Sequence, residues 1–367
     1  MNDKNNLIFT KLQVRAVNLP LNNPIVAHIG TYEKWPYICV DVYTKSGIIG
    51  KGYIGPYLVE QLPSIASCMR ALADKFINRV IAPSSFFDEG MRSLSLLGYS
   101  GIGLYALAGL DIAFWDAHAK SCDNPLAVHL GGTLGKVKTY NSRGLWLNPI
   151  SELAEQAHEL KSEGNFKALK LRIGRNTIDD DLNALVEVKK GAGNDTIIFS
   201  DFNQCMNYGQ AIERLTALDD AGFAWFEEPI KYNDINHYSE LTRMIKTPIN
   251  IGENFHGPRE MHAALKINAS DMVMPDLMRI GGVSGWLRAS SLAEVYDIPV
   301  STHLFPEVSA HLMRVTPNAD WLEWTDWANL MLANPFKISD GEITIPDVAG
   351  NGLEWNEEVL EKYSVPC

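Results

Sequence analysis

The chain has 367 residues, 46% hydrophobic and 21% charged, which is the composition of an ordinary soluble protein long enough for a barrel with an added cap. Its net charge of −12 and acidic pI argue against nucleic acid or an anionic membrane as partner. No apolar run approaches the roughly 20 residues of a membrane span, MNDKNNLIFT has no apolar signal core, and the scattered Cys39, Cys68, Cys122, Cys205 and Cys367 form no CxxC pair. This usage points to a reducing cytoplasm and away from a disulfide framework or a zinc site.

Residues 1–130 read as a separate α+β unit. VRAVNLPL, YICVDVYTKSG and IIGKGYIG alternate apolar and polar residues between turn signals, as a small antiparallel sheet does. Residues 58–80 and 102–120 read as helices, the second apolar over one broad face with small residues that permit close packing. The segment near 22–36, NNPIVAHIGTYEKW, offers His28, Tyr32, Lys34 and Trp35.

Residues 131–338 keep a different rhythm. Short β-branched or aromatic runs alternate with helical stretches, with strands expected near 140, 170, 199, 225, 251, 274, 301 and 322. That alternation means parallel strands joined by right-handed crossovers, and eight strands favour a closed α/β barrel of (β/α)7β type. The tail, 339–367, returns to turn-rich strand character (GEITIPDVAGNGLEW) and is expected to pack back on the first unit.

Within the barrel, Asp201, Glu227 and Glu253 recur at equal steps of 26 residues, closing IIFSD, FAWFE and INIGE. Residues that close parallel barrel strands converge on one rim, where active sites sit. Three carboxylates there repel one another unless a cation holds them, and all-oxygen ligation suits Mg²⁺ or a similar hard ion. The other strand ends give Ser142 and Arg143, then Lys170 and Arg172 two apart on one face, Asn203, Asp276, His303 and Glu323.

Asp276 and His303 stand on neighbouring strands, so the carboxylate can fix the imidazole tautomer and raise its basicity, making a general base. Lys170 reads as a clamp for a substrate carboxylate or an ion-pair partner of the acids. Arg172 holds its proton too firmly to be a base and suits anion binding. Glu228 is expected to alternate away from the site and enter a salt bridge, and His311 to be a packed histidine. The set suits abstraction of a proton next to a carboxylate, with fixed cations stabilising the enediolate and a protonated Glu323 binding its second oxygen.

In order, KLR (170–172), SDFNQ (200–204), WFEEP (225–229), IGENF (251–255), MPDLMRIGGVSGW (274–286), STHLFPEVSAHL (301–312) and WLEW (321–324) resemble the enolase superfamily, mandelate racemase subgroup. VRAVNLPL and LAGLDIAFWDAHAK are similar to its capping domain, so the resemblance implies that residues 1–130 are that cap and that the segment near 22–36 is a lid loop over the site. The resemblance implies one Mg²⁺ per site on Asp201, Glu227 and Glu253. It implies Asp276–His303 as the base serving the (R)-face, Glu323 as the electrophilic acid, and Lys170 as the first lysine of a Lys-x-Lys motif. Ser142 and Asn203 match positions that line substrate or metal.

Arg172 departs from that motif, since the family's second base is a lysine there. One-base chemistry suits dehydration of a sugar acid (an aldonate or aldarate) to a 2-keto-3-deoxy product. Arg143 and the lid residues His28 and Lys34 are expected to hold such a polyol acid. A 2-hydroxy-acid racemase or epimerase is the alternative reaction, and a non-catalytic sugar-acid-binding barrel the alternative outside enzymes. The resemblance also implies a homo-oligomer.

Overall fold

A computed structural model describes residues 7–367. The cap opens with a long hairpin, β1 (Phe9–Ala27) and β2 (Gly30–Thr44), followed by β3 (Ile49–Ile54). Then come helices α1 (Leu62–Ala73), α2 (Pro83–Ser93), α3 (Gly101–Ser121) and α4 (Leu126–His129). α2 falls in a stretch where the sequence reading placed no helix. It opens with proline, whose fixed φ suits a first turn. α3 is buried on nearly every face because it lies between the cap sheet and the barrel.

The barrel alternates β4 (Lys136–Asn141), α5 (Leu153–Ser162), β5 (Ala168–Arg172), α6 (Ile178–Ala192), β6 (Ile197–Asp201) and α7 (Tyr208–Leu218). It continues with β7 (Phe226–Glu227), α8 (Ile235–Met244), β8 (Ile249–Ile251), α9 (Pro258–Leu265), β9 (Met272–Val273) and α10 (Gly282–Val295). α11 (Pro306–Met313) and β10 (Leu322–Trp324) follow. Neighbouring strands are parallel from β4 to β9, and β10 pairs with β4. Residues 300–303 fill the remaining gap: Ser301 N–H donates to Val273 O at 2.8 Å and Thr302 N–H to Trp321 O at 3.0 Å. The cylinder therefore closes, as the eight-strand rhythm requires.

Strand alternation builds the inside in layers. Tyr140, Ala168, Phe199 and Trp225 form a plug, with Phe199 and Trp225 stacked at 3.4 Å. One pleat further along, Lys170, Asp201 and Glu227 point the same way into the mouth. The plug excludes water from below, so the charges above it sit in a poorly solvated space.

The tail departs from expectation. β11 (Ile338–Ser339) and β12 (Glu342–Thr344) make a hairpin whose second strand pairs antiparallel with β4, so this part joins the barrel. β4 extends beyond its parallel neighbours at that end, and β12 satisfies the free edge. From Gly350 onward the tail reaches the cap: Leu126 N–H donates to Gly350 O at 2.7 Å, Trp355 Nε1 donates to Asp41 at 2.7 Å, and after α12 (Glu357–Lys362), β13 (Ser364–Val365) pairs with β1. The expected lid loop is likewise ordered as the tip of the β1–β2 hairpin. Among the described residues, no helix is long and apolar enough to cross a membrane.

Candidate active site

The three acids do converge. Lys170 Nζ lies 2.9 Å from Glu227 Oε1, 2.7 Å from Glu323 Oε1 and 3.7 Å from Asp201 Oδ2, so one ammonium ties three strand ends together. Its side chain is 1% exposed. Burial disfavours that ammonium, yet Glu227 and Glu323 outweigh the penalty and raise its pKa. The third acid, Glu253, sits 3.3 Å from His303 Nε2.

Asp201 accepts from the Asn203 backbone at 2.8 Å and from its amide at 3.0 Å, across a turn in which Asn203 adopts φ 46°. Glu227 Oε2 is buried with no hydrogen-bond partner among the described residues. Burial first, then repulsion by Asp201, drives the Glu227 pKa well above the usual carboxylate range. An unpaired buried oxygen, all-oxygen donors and mutual repulsion fit a hard divalent cation held by Asp201, Glu227 and Glu253.

On the far side, His303 Nδ1 meets Asp276 Oδ2 at 2.8 Å. Asp276 is fixed in turn by the Arg279 N–H, which donates to Oδ1 at 2.9 Å. Burial opposes charging His303, but Glu253, Asp276 and Glu323 prevail and push its pKa up to about 9. Glu253 is the largest of these attractions, so a cation on that acid would oppose it.

Leu304 and Phe305, directly after His303, adopt φ 51° and 52°. This uncommon left-handed pair directs the Leu304 N–H at Glu323 Oε2, 2.8 Å away. Sequence reasoning expected burial to raise the Glu323 pKa, but the structure reverses that. Burial does oppose ionisation, yet Lys170, His303 and the Ser142 hydroxyl hold Glu323 below the carboxylate range. In this arrangement it is an anionic acceptor.

Arg172 is committed locally. It donates to Ser142 O at 3.0 Å, Gly144 O at 3.1 Å and Ser142 Oγ at 2.9 Å, and lies 3.8 Å over the Trp146 ring. Its Nε is 3.6 Å from Asp201 Oδ2. Arg172 thus joins the end of β4 to the acid cluster.

A family model described as "Enolase C-terminal domain-like" matches residues 152–359, and "Mandelate racemase / muconate lactonizing enzyme, N-terminal domain" matches 9–131. The chain belongs to the mandelate racemase/muconate lactonizing enzyme family. An enolase from alpha proteobacterium BAL199, solved with bound Mg, is 44% identical, with 98% of this chain and 99% of that one covered and a TM-score of 0.96. A Bradyrhizobium enolase complexed with magnesium and mandelic acid is 31% identical over 98% of this chain and 99% of that one, with a TM-score of 0.93. L-talarate/galactarate dehydratase of Salmonella typhimurium is 30% identical over 272 residues, 74% of this chain and 68% of that protein.

Other expectations about this family member's site need correction. Arg143 is not a free cation: it forms a fork with Glu163 and reaches Asp326 at 3.5 Å. Lys34 is exposed, because strand alternation in the hairpin turns it outward and Trp35 inward. Trp35 packs 4.9 Å from Trp327 and 5.4 Å from Tyr57. His28 is exposed and lies across an outer cleft beside Arg175 and Arg214, outside the acid cluster. The hairpin is pinned over the β4 and β10 ends, where Asn22 donates to Asp326 at 2.9 Å and Leu147 N–H to Val26 O at 2.8 Å.

Glu228 also turns inward. Its φ of 36° breaks the strand alternation, and Asn254 Nδ2 donates to it at 2.7 Å rather than a cation pairing with it. Burial, then Glu253, raises its pKa well above the usual range. Its position directly after a metal-type acid was the available signal. His311 is packed as expected: its Nδ1 accepts from Ala127 N–H at 3.1 Å, and burial lowers its pKa to about 4.

Arg279, near the Asp276–His303 pair, was not singled out from the sequence. Its guanidinium lies 4.6 Å over Tyr57 and its Nε donates to the Tyr57 hydroxyl at 3.1 Å. It has no ion-pair partner among the described residues, although it stands three positions after Asp276. The spare arginine in MPDLMRIGG was the signal.

Proposed function

We propose that this chain removes the α-proton of a sugar acid and expels the β-hydroxyl, giving a 2-keto-3-deoxy acid. One observation carries this reading: the two sides of the mouth are unequal. His303, backed by Asp276, would accept a proton on one side once a cation on Glu253 offsets the attraction that raises its pKa. On the other, Arg172 spends its donors on Ser142 and Gly144 and cannot readily give up a proton. A dehydration needs one base, whereas a racemase needs one on each face.

Asp201, Glu227 and Glu253 would hold Mg²⁺, which would supply fixed positive charge to stabilise the enediolate that forms when the α-proton leaves. Lys170 adds a second, buried positive charge at the enediolate oxygens and is oriented by Glu323. His303 Nε2 takes the α-proton while Asp276 holds its Nδ1–H. The electron pair then returns to form a C=C bond as the β C–O bond breaks. His303 gives its proton to the departing hydroxyl, which leaves as water, and the enol tautomerises to the ketone. The kinship with L-talarate/galactarate dehydratase supports the reaction class.

The second reading is a 2-hydroxy-acid racemase or epimerase. It is favoured by the aromatic wall of Trp35, Trp327 and Trp146 near the mouth and by the likeness to the enolase complexed with mandelic acid. A library of aldonates and aldarates, assayed with Mg²⁺ for 2-keto-acid formation and run in D₂O, separates the two. Keto-acid production supports dehydration. Deuterium entering the α-carbon with the hydroxyl retained supports racemisation. Binding of a library acid without either signal would indicate a barrel that binds sugar acids without catalysis.

A further inference from the structure

The α3 C-terminus holds a cluster that takes no part in the chemistry above. His118 lies in the last turn of α3, Cys122 directly follows the helix, and His129 closes the short α4. His118 Nδ1 and His129 Nε2 face each other at 2.8 Å, and a ligand atom from each of the three residues lies within 4.8 Å of the others. Both imidazoles are part-buried and Cys122 is exposed, so the cluster is open on one side.

We propose that His118, Cys122 and His129 form a second metal site, for Zn²⁺, on the cap. Two imidazole nitrogens and one thiolate are a donor set zinc favours, unlike the all-oxygen set in the barrel. Nitrogens about 2.05 Å from a tetrahedral zinc stand about 3.3 Å apart, so the imidazole pair needs to open by only about half an ångström. The cation would sit at the C-terminal end of α3, the negative end of the helix dipole. Burial lowers the pKa of both histidines, which favours the neutral form that ligates. Three protein ligands leave the fourth position, on the exposed side, for water.

Sequence reasoning saw no zinc site because the residues are spaced 4 and 7 apart with no CxxC pair, and only the turn between α3 and α4 brings them together. Trp115 stands 6.3 Å from the His118 ring and 6.2 Å from the His129 ring. The part of the emission lost in Trp115→Phe, among nine tryptophans, would therefore report occupancy.

The test uses the full chain saturated with Mg²⁺ under a non-thiol reductant, titrated with Co²⁺ as a probe for zinc. Cobalt on the oxygen-only barrel site gives no sulfur-to-metal charge-transfer absorption. The expected result is such a band in the wild type, saturating at one equivalent with quenching of Trp115 and displaced by Zn²⁺. Cys122→Ser should abolish it, and His129→Gln should weaken cobalt binding at least tenfold. Zn²⁺ should also raise the Tm of the wild type and not of Cys122→Ser, because only the native wild-type fold assembles the site. His118→Gln replaces His129→Gln if the latter fails to fold by circular dichroism. Absence of the band in the wild type, or its survival in Cys122→Ser, would overturn the proposal.

Discussion

At the scale of single residues, the site is a relay of neighbours that constrain one another. His303 is useful because Asp276 fixes one nitrogen and leaves the other aimed towards Glu253. His303→Asn keeps a polar side chain but removes the proton acceptor. It is expected to lower kcat/KM for the dehydrated acid by roughly 10²–10⁴ while leaving Mg²⁺ affinity near wild type, as steady-state kinetics and calorimetry would read. Unchanged turnover would remove His303 from the mechanism. Arg279 poses a separate question. It is a half-buried cation with no ion-pair partner among the described residues, three positions from Asp276. Arg279→Gln is expected to raise KM for an aldarate tenfold or more and to change KM for the matching aldonate little, since a second carboxylate is what the guanidinium would hold. Equal effects on both acids would deny it that role.

Which residues could be read in advance follows from how each is positioned. Asp201 and Glu227 close their strands and Glu253 lies two residues past β8, so their spacing pointed to one rim. Glu228 could not be placed that way, because a φ of 36° after Glu227 cancels the alternation. Arg143 and Lys34 were legible as cations but not as substrate contacts. Glu163 and Asp326 neutralise the first, and the hairpin pleat turns the second outward.

At the scale of elements, the join between α3 and α10 shows how close packing is achieved. Gly282 opens α10 with φ 74°, and a Cβ built there would meet Asp111 Oδ2 at 2.7 Å and Ala108 O at 2.9 Å. Glycine answers both demands, a left-handed backbone and the absence of a side chain. Gly282→Ala is expected to destabilise the fold by roughly 1–3 kcal/mol, measurable as a lower denaturant midpoint at unchanged slope. The β1–β2 hairpin teaches the complementary lesson. Its polar tip read as a loop, but Trp35 packing on Trp327 and Tyr57 makes it a strand pair anchored to the barrel.

At the scale of the molecule, cap and barrel are clamped by buried acids. Asp111 on α3 accepts from Ser284 N–H at 2.8 Å and Ser284 Oγ at 2.6 Å on α10. Asp116 accepts from Lys51 N–H and Asn351 N–H, both at 2.7 Å, joining β3 to the tail. Burial is the dominant influence on Asp111 and pushes its pKa up to about 7 from an ordinary 3.8. In that window the folded state keeps a proton that the unfolded chain has released. Stability from this group is therefore full below about pH 4 and declines as pH rises to about 7, by on the order of 2–4 kcal/mol. Asp111→Asn is expected to flatten that part of the wild-type dependence of Tm on pH. An identical slope in the variant would show that Asp111 is already ionised throughout.

The sequence by itself determined the barrel, the cap, the three evenly spaced acids and the Asp276–His303 pair. Strand and helix periods and strand-end positions are local properties, written in neighbouring residues. Tertiary structure decided what each charge does. It tied Arg172 to Ser142 and Gly144, kept Glu323 anionic beside Lys170, sent β12 to the barrel edge, and gathered His118, Cys122 and His129. Those outcomes depend on ion-pair and hydrogen-bond partners supplied by other elements, and a buried charge takes its state from whatever surrounds it in space.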